Sequence, residues 1–446
     1  MGLGRMWKGN AIMISQYAWY LRDLLKKVWV RVASFAVFAL LSVWLARVLS
    51  PFLTADIALK TGSDAAEELL TILTTSMLAV TTFSLSIAVS AFAAAASTAT
   101  PRAVVLLQED RTTQNVLATF LGAFLFGLVG LIALNADLYD DAGLVVIFGF
   151  TVVVIGLVVV ALIRWIDHLM SFGRMRDTLD RVEAATTRAL DLRLNDPYFG
   201  GHRLVGLPDD VMIPVPSRET GYVQHIDMPT IQDCAKTLEA QVYLNALPGR
   251  FVVKGAPLMW VSTRKLDDQR RDRFCAAVTL GTSRTFEGDP RFGLIVLSEI
   301  ASRALSPAVN DPGTAIDILG RLVRILSLWQ DRAVPNVRYD AVHVPAVTPQ
   351  EAVEDAFRPI SRDGASIVEL QIRLQKSLRA LSALSPTAFA VPATRMAEDA
   401  VARAEAAGIA CFDLAEIRAV AGLSGDVVHP DARPLSERNA RPSEYI

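Results

Sequence analysis

Cysteine and histidine are scarce in this chain, at three and five among 446 residues. Cys234, Cys275 and Cys411 stand far apart with no Cys-x-x-Cys spacing, which excludes a disulfide framework or a zinc motif and leaves reduced thiols. His168, His202, His225, His343 and His429 are equally dispersed, so no metal site is assigned. An excess of one charge is also missing. The net charge is −2, and no basic stripe with interleaved aromatics appears, so no nucleic-acid partner is expected. A Walker loop, a dinucleotide fingerprint, a Ser-His-Asp order and a nucleophile–base pair are all absent, so neither a cofactor nor an enzymatic activity is expected. A cleavable signal peptide is not expected either: Met1 to Leu25 is mixed and amphipathic, and the first long apolar run starts near Val28.

Apolar residues are abundant. They make up 52% of the chain against 20% charged residues, and their distribution is uneven. Charges are sparse from Trp29 to Leu162 and recur every few residues from Arg174 onward, which divides the chain into a membrane part and a water-exposed part. A helix needs about 20 apolar residues to cross the hydrocarbon core. Four stretches qualify: Trp29–Leu49, Glu67–Ala96, Val116–Leu134 and Leu144–Ile163. Lys and Arg cluster in the N-terminal segment from Arg5 to Arg31, in the loop with Arg102 and Arg111, and after the fourth span at Arg164, Arg174, Arg176 and Arg181. The other side holds Arg47 and Lys60, with Asp137, Asp140 and Asp141 in its second loop. From this bias both termini are expected in the cytoplasm, with the chain in the inner membrane. The segment 1–27, with Trp7, Tyr17, Trp19 and Tyr20 among basic residues, reads as an interfacial helix or as a frayed extension.

The second span differs from the rest in its hydroxyls. Thr71, Thr75, Thr82, Ser86 and Ser90 recur at spacings that stack them on one helical face. Such a stripe either binds neighbouring helices or lines a hydrated path. No charged residue sits in the middle of any span, which argues against a proton-coupled pump but not against a passive pore. At the exit of the fourth span, Asp167 and His168 read as a solvated helix face or as a gate or proton site. The amphipathic pattern continues to about Leu194, so the fourth span is expected to run unbroken into the soluble part.

Past a Gly- and Pro-rich linker ending at Pro216, a β-rich module is expected over 217–265 and a helical domain over 266–423. A loose tail follows over 424–446. The remaining boundaries are 28–170 for the membrane domain and 171–216 for the helix extension and linker. Helical spacing is clear at Phe292–Leu305, Thr314–Leu328, Ser366–Leu384 and Thr394–Ala406. Between the first two, Ser306-Pro307 stops a helix, Asp311 caps the next and Pro312 opens it. The segment either only caps, or uses that helix start with Arg284, Arg303, Ser306, Asn310 and Thr314 to hold an anion.

Gly221-Tyr222-Val223 ahead of Pro248-Gly249-Arg250-Phe251-Val252 and Gly255-Ala256-Pro257-Leu258 is similar to the half-motif of biotinyl/lipoyl-type barrel-sandwich domains. The lysine that carries their cofactor has no counterpart, so the likeness implies a shape alone. Thr100-Pro101-Arg102, the two glycine segments and Arg303-Ala304-Leu305-Ser306-Pro307 with Asn310-Asp311-Pro312 resemble the bacterial membrane family called domain of unknown function 2254. That resemblance implies architecture and no activity. The fold class expected is four transmembrane helices plus a cytoplasmic α+β region with a small β-barrel-like module and a C-terminal helical bundle. Two functions fit: a homo-oligomeric channel-like assembly in the lipid bilayer, or a membrane-anchored sensor or scaffold that binds a small anionic ligand.

Overall fold

The computed structural model describes residues 28–49, 63–136, 138–139, 141–207, 211–330 and 336–423. The interfacial segment 1–27, the tail 424–446, and Lys60, Asp137 and Asp140 lie outside them. Two compact units divide between Thr178 and Leu179.

The first unit holds α1 (Val28–Leu49), α2 (Ser63–Thr98), α3 (Pro101–Gln108), α4 (Arg111–Asn135) and α5 (Asp141–Leu169). Among the described residues, three helices are long and apolar enough to cross a membrane, over Ala65–Thr98, Arg111–Asn135 and Gly143–Leu169. The apolar stretch that qualifies in α1 is shorter, Val32–Leu45, so the first expected span, Trp29–Leu49, is matched only in part. Thr100 and Pro101 restart the chain as α3, and the Asp110 carboxylate accepts from the Thr113 backbone N–H at 2.7 Å to start α4. At the centre of the unit is α4, because its small residues admit other helices closely. A Cβ on Gly122 would stand 2.3 Å from the Phe35 ring of α1, and one on Gly127 would stand 2.3 Å from Thr74 Oγ1 of α2. Phe120 and Phe126 on α4, Leu70 on α2 and Ile147 on α5 are fully buried in the resulting core.

Contrary to the unbroken helix expected from the sequence, α5 stops at Leu169 and α6 (Met175–Asn195) starts afresh. The cause is local. Gly173 adopts a left-handed φ of 75° and ends the helical path. Phe172 turns back into the bundle, where it is 7% exposed and meets Phe92 of α2 edge-on.

Most of α6 belongs to the second unit. Two sheets follow it. The larger runs β1 (His202–Arg203), β8 (Val342–Val344), β4 (Val242–Leu244), β6 (Pro257–Val261), β2 (Ile213–Pro216). The smaller runs β5 (Phe251–Val252), β3 (Gly221–Ile226), β7 (Val278–Gly281). They enclose one core with α7 (Met228–Thr237) and α8 (Asp268–Ala276), including Val223, Ile231, Val242, Met259, Phe274 and Val342.

The barrel-sandwich shape expected over 217–265 is not what forms. Segment 217–265 supplies β3 and β5 to one sheet and β4 and β6 to the other, and no closed barrel results. The reason is β8. It pairs parallel with both β1 and β4, and a parallel neighbour must arrive by a long crossover rather than a hairpin. That crossover carries α9 (Pro290–Ala304) and α10 (Pro312–Leu326).

The remaining helices are α11 (Pro349–Asp363), α12 (Val368–Leu384), α13 (Pro386–Ala406) and α14 (Cys411–Ala421). Starts of α9, α10 and α11 share a cap-then-proline pattern: Asp289-Pro290, Asp311-Pro312 and Thr348-Pro349, with a full capping box at Thr348 and Glu351. Proline suits the first helical position because its missing N–H has no partner there. Helix α13 starts eight residues before the expected Thr394, since Pro392 sits inside it and masks the pattern.

Crowding at Gly127 predicts that Gly127→Val destabilises the first unit by roughly 1–3 kcal/mol. Gly149 on α5 has nothing within 4 Å of its Cβ position, so Gly149→Ala should be neutral or slightly stabilising. Thermal unfolding of both variants in the same detergent distinguishes a seam from a tolerant surface.

Candidate functional site

Helix α2 sorts its hydroxyls into two sets. Thr74 and Thr81 are half-buried, and Thr74 fills the notch at Gly127. Thr71, Thr75, Thr82, Ser86 and Ser90 are exposed, on the side away from the chain's own helices. The buried side carries Leu70, Leu73, Met77 and Ala88, with Ser84, at 1% exposure, as its one fully buried hydroxyl among the described residues. Four of the exposed hydroxyls donate to the carbonyl one turn back: Thr75 to Thr71 at 2.8 Å, and Thr82 to Leu78, Ser86 to Thr82 and Ser90 to Ser86 at 2.9 Å each. Their protons are engaged within the helix, while oxygen lone pairs remain directed outward. Packing among the described residues of one chain therefore does not account for the stripe.

The anion-site candidates in the second unit fall into two groups at opposite ends of α9. Arg284 lies before its start, where it grips Asp289 in a bidentate pair at 2.8 and 3.0 Å and stacks 5.3 Å from the Phe292 ring. Asp289, 3% exposed, also caps α9 by accepting from the Phe292 N–H at 3.2 Å. The glycine of Pro248-Gly249-Arg250 closes over this carboxylate with φ 92°; a Cβ there would stand 2.0 Å from Asp289 Oδ2. Arg284 is thus engaged by its own chain.

At the other end, roughly 20 Å along a 15-residue helix, lie Arg303, Ser306, Asn310, Asp311 and Thr314. Ser306 Oγ donates to the Arg303 carbonyl at 2.7 Å, and Asn310 takes a left-handed φ of 49° to make the turn. Asp311 accepts from the Thr314 N–H at 3.0 Å and from the Thr314 hydroxyl. Those bonds, the hydroxyl's first, hold the Asp311 carboxyl below the usual aspartate range. The start of α10 already has its anion, and it is the side chain of Asp311.

Charge pairs that the sequence reading passed over are more buried. Arg321 on α10, 6% exposed at its side chain, reaches Asp317 at 2.7 Å and Asp180 and Glu183 of α6 at 2.6 and 2.7 Å. Burial works against its charge, but Asp317 and Asp180 more than offset that and raise its pKa. Arg324 adds a bidentate grip on Glu183 at 2.8 and 2.9 Å. Further along α6, burial pushes Arg193 down to about 10 against the pull of Asp289 and Asp196. It donates to the Gly288 carbonyl at 2.9 Å and lies 3.8 Å over the Phe199 ring. On α9, Arg291 holds Asp355 and Glu351 of α11, each at 2.5 Å. These pairs bind helices to one another. Only the Asp317–Arg321 spacing was readable locally. Among the described residues, no group of three His, Cys, Asp or Glu side chains is placed to hold a metal.

Comparison with known proteins adds identity without activity. The sequence profile of the family described as "Predicted membrane protein (DUF2254)" matches residues 26–380. The chain belongs to this family. As a DUF2254 protein it is similar to the uncharacterized protein Mb1321c of Mycobacterium bovis and the uncharacterized protein Rv1290c of Mycobacterium tuberculosis. Each is 31% identical over 191 residues, which is 41% of this chain. The matched stretch spans 36% of each relative's length. No solved structure matches. Several apolar helices and the family agree on a membrane protein.

Two outcomes follow for the second unit. Asp311→Ala should cost about 1 kcal/mol near neutral pH. A lowered native pKa means the unfolded chain binds more protons, so this stabilisation is complete above the ordinary aspartate value of about 4. It fades as pH falls through the lower native value, and the wild type's advantage in melting temperature should shrink below about pH 4. Arg321→Met removes the partner of Asp180 and Asp317 and leaves Glu183 to Arg324 alone, and should cost about 2 kcal/mol, more than Arg324→Met, whose side chain is 59% exposed; denaturant unfolding measures both.

Proposed function

We propose that the protein is a homo-oligomeric, channel-like assembly of the bacterial inner membrane, with the hydroxyl face of α2 lining a hydrated path. The outward direction of that face carries the reading. From Thr71 to Ser90 the row extends roughly 28 Å at 1.5 Å per residue, close to the hydrocarbon thickness of about 30 Å. Exposed hydroxyls of one copy must meet lipid, water or another copy. With their protons turned back into the helix, they offer oxygen lone pairs, which suit a partly dehydrated cation. One copy encloses no path with an outward face, so several copies of α2 surround it. In this reading α1 also spans the membrane and completes the four, since its 22 residues give roughly 33 Å of helix. Both termini are cytoplasmic, and the second unit is the gating or vestibule domain.

The alternative, a membrane-anchored sensor or scaffold for an anionic ligand, retains one supporting observation: Arg303 is exposed beside the α9–α10 turn. It is the weaker reading, because Arg284 is spent on Asp289 and Asp311 occupies the α10 start.

Reconstitution in liposomes with a potassium gradient tests the channel. The wild type should dissipate the gradient, and Thr75→Leu and Ser86→Leu should slow it at least tenfold while the assembly keeps its mass. A sealed wild type overturns the channel, and undiminished flux in both variants removes α2 as its lining.

A further inference from the structure

His168 is not on a solvated face. Asp167 beside it is exposed, as are Arg164 and Ile166, but the His168 side chain turns into the first unit and is 12% exposed. Its Nε2 stands 3.1 Å from Asp110 Oδ2 and 3.1 Å from the Thr113 hydroxyl. The same carboxylate oxygen accepts from the Thr113 backbone N–H at 2.7 Å and its hydroxyl at 2.8 Å. One imidazole therefore ties the end of α5 to the cap of α4.

The tie extends to α2. The Phe172 ring lies 4.8 Å from His168 and 5.9 Å from Phe92 of α2. Gly173 rests against Ala91, where a Cβ on the glycine would stand 2.7 Å from that of the alanine. Ser90, the last hydroxyl of the stripe, is the residue before Ala91. A chain of contacts runs from the Asp110 carboxylate through His168, Phe172 and Gly173 to the end of the stripe.

We propose that the His168–Asp110 pair is a proton-operated latch on the end of α2 that carries Ser90, and so the regulator of the path proposed above. As a control of conduction it rests on that channel reading. Histidine changes charge between about pH 5 and 8. Protonated, it adds the attraction of opposite charges to its hydrogen bond with the Asp110 carboxylate. The charged pair is the stronger tie, so the protonated imidazole favours the latched state and the neutral one releases it. Among the described residues, Asp110 is the charged partner of His168. Other charged groups on the elements that meet there are exposed: Arg102 on α3, Glu109 and Arg111 beside the α4 cap, Arg164 and Asp167 on α5, and Arg174 after it. From α2 the neighbours are apolar, Ala91 and Phe92. Thr113 contributes a neutral hydroxyl.

Alkylation tests the latch without requiring flux. In the full-length protein in lipid nanodiscs, Ser90→Cys is combined with Cys234→Ser and Cys275→Ser, and exposed Cys411 is kept as an internal reference. Maleimide labelling of both thiols is followed by mass spectrometry from pH 5.5 to 8.5. The labelling rate at position 90 relative to Cys411 should rise at least fivefold across that range. His168→Gln and Asp110→Asn should each hold it near the high-pH value throughout. A flat profile with the pair intact overturns the latch, as does a wild-type profile surviving in both variants. Closed liposomes with a pH-dependent profile would remove the channel and leave the latch, whereas flux with a flat profile would do the reverse.

Discussion

The close seam between α2 and α4 sets what the membrane unit can present. Gly127 admits Thr74 at a distance that no larger residue allows, and that contact fixes the rotation of α2 about its own axis. At about 100° per residue, placing Leu70, Thr74 and Met77 inward turns Thr71, Thr75, Thr82, Ser86 and Ser90 outward. Half a turn of difference would bury the hydroxyls and expose Leu70, Leu73 and Met77, which are now buried. The polar face is thus a consequence of glycine placement on another helix, which is why a sequence pattern on α2 alone left its direction open.

The second unit is ordered by guanidinium groups held between helices. Arg321 and Arg324 bind α10 to α6, and Arg291 binds α9 to α11. Arg284 and Asp289 join the start of α9 to the Gly249 turn. A residue with a Cβ at 249 would displace the Asp289 carboxylate, and with it both an ion pair and a helix cap. The glycine and proline of Pro248-Gly249-Arg250 therefore act through a residue far along the chain, and their likeness to a barrel motif was a likeness of turns.

Features written in short range were legible. The apolar runs of α2, α4 and α5, the hydroxyl spacing and the Asp311-Pro312 cap all depend on neighbours within a turn or two. The same cap-proline signal stood at Asp289-Pro290 and Thr348-Pro349, and would have located the starts of α9 and α11 as well. Features made by distant partners were not legible. His168 looks solvated beside Asp167 because Thr113, 55 residues earlier, is what draws it inward. Glu183 is 138 residues from Arg321. The break after Leu169 depended on Phe172 finding a berth against α2, which the amphipathic run continuing to Leu194 concealed.

Strand β8 also imposes an order in time. It sits between β1 and β4, yet it is made only after two helices of the crossover have been synthesised. Until Val344 leaves the ribosome, β4 and β1 have no common partner and β4 keeps one open edge. Such an edge invites pairing with another chain. The α9–α10 pair, with its own caps, can form while that edge waits. Three short residues late in the sequence thus decide when the sheet of the second unit ceases to be sticky during synthesis.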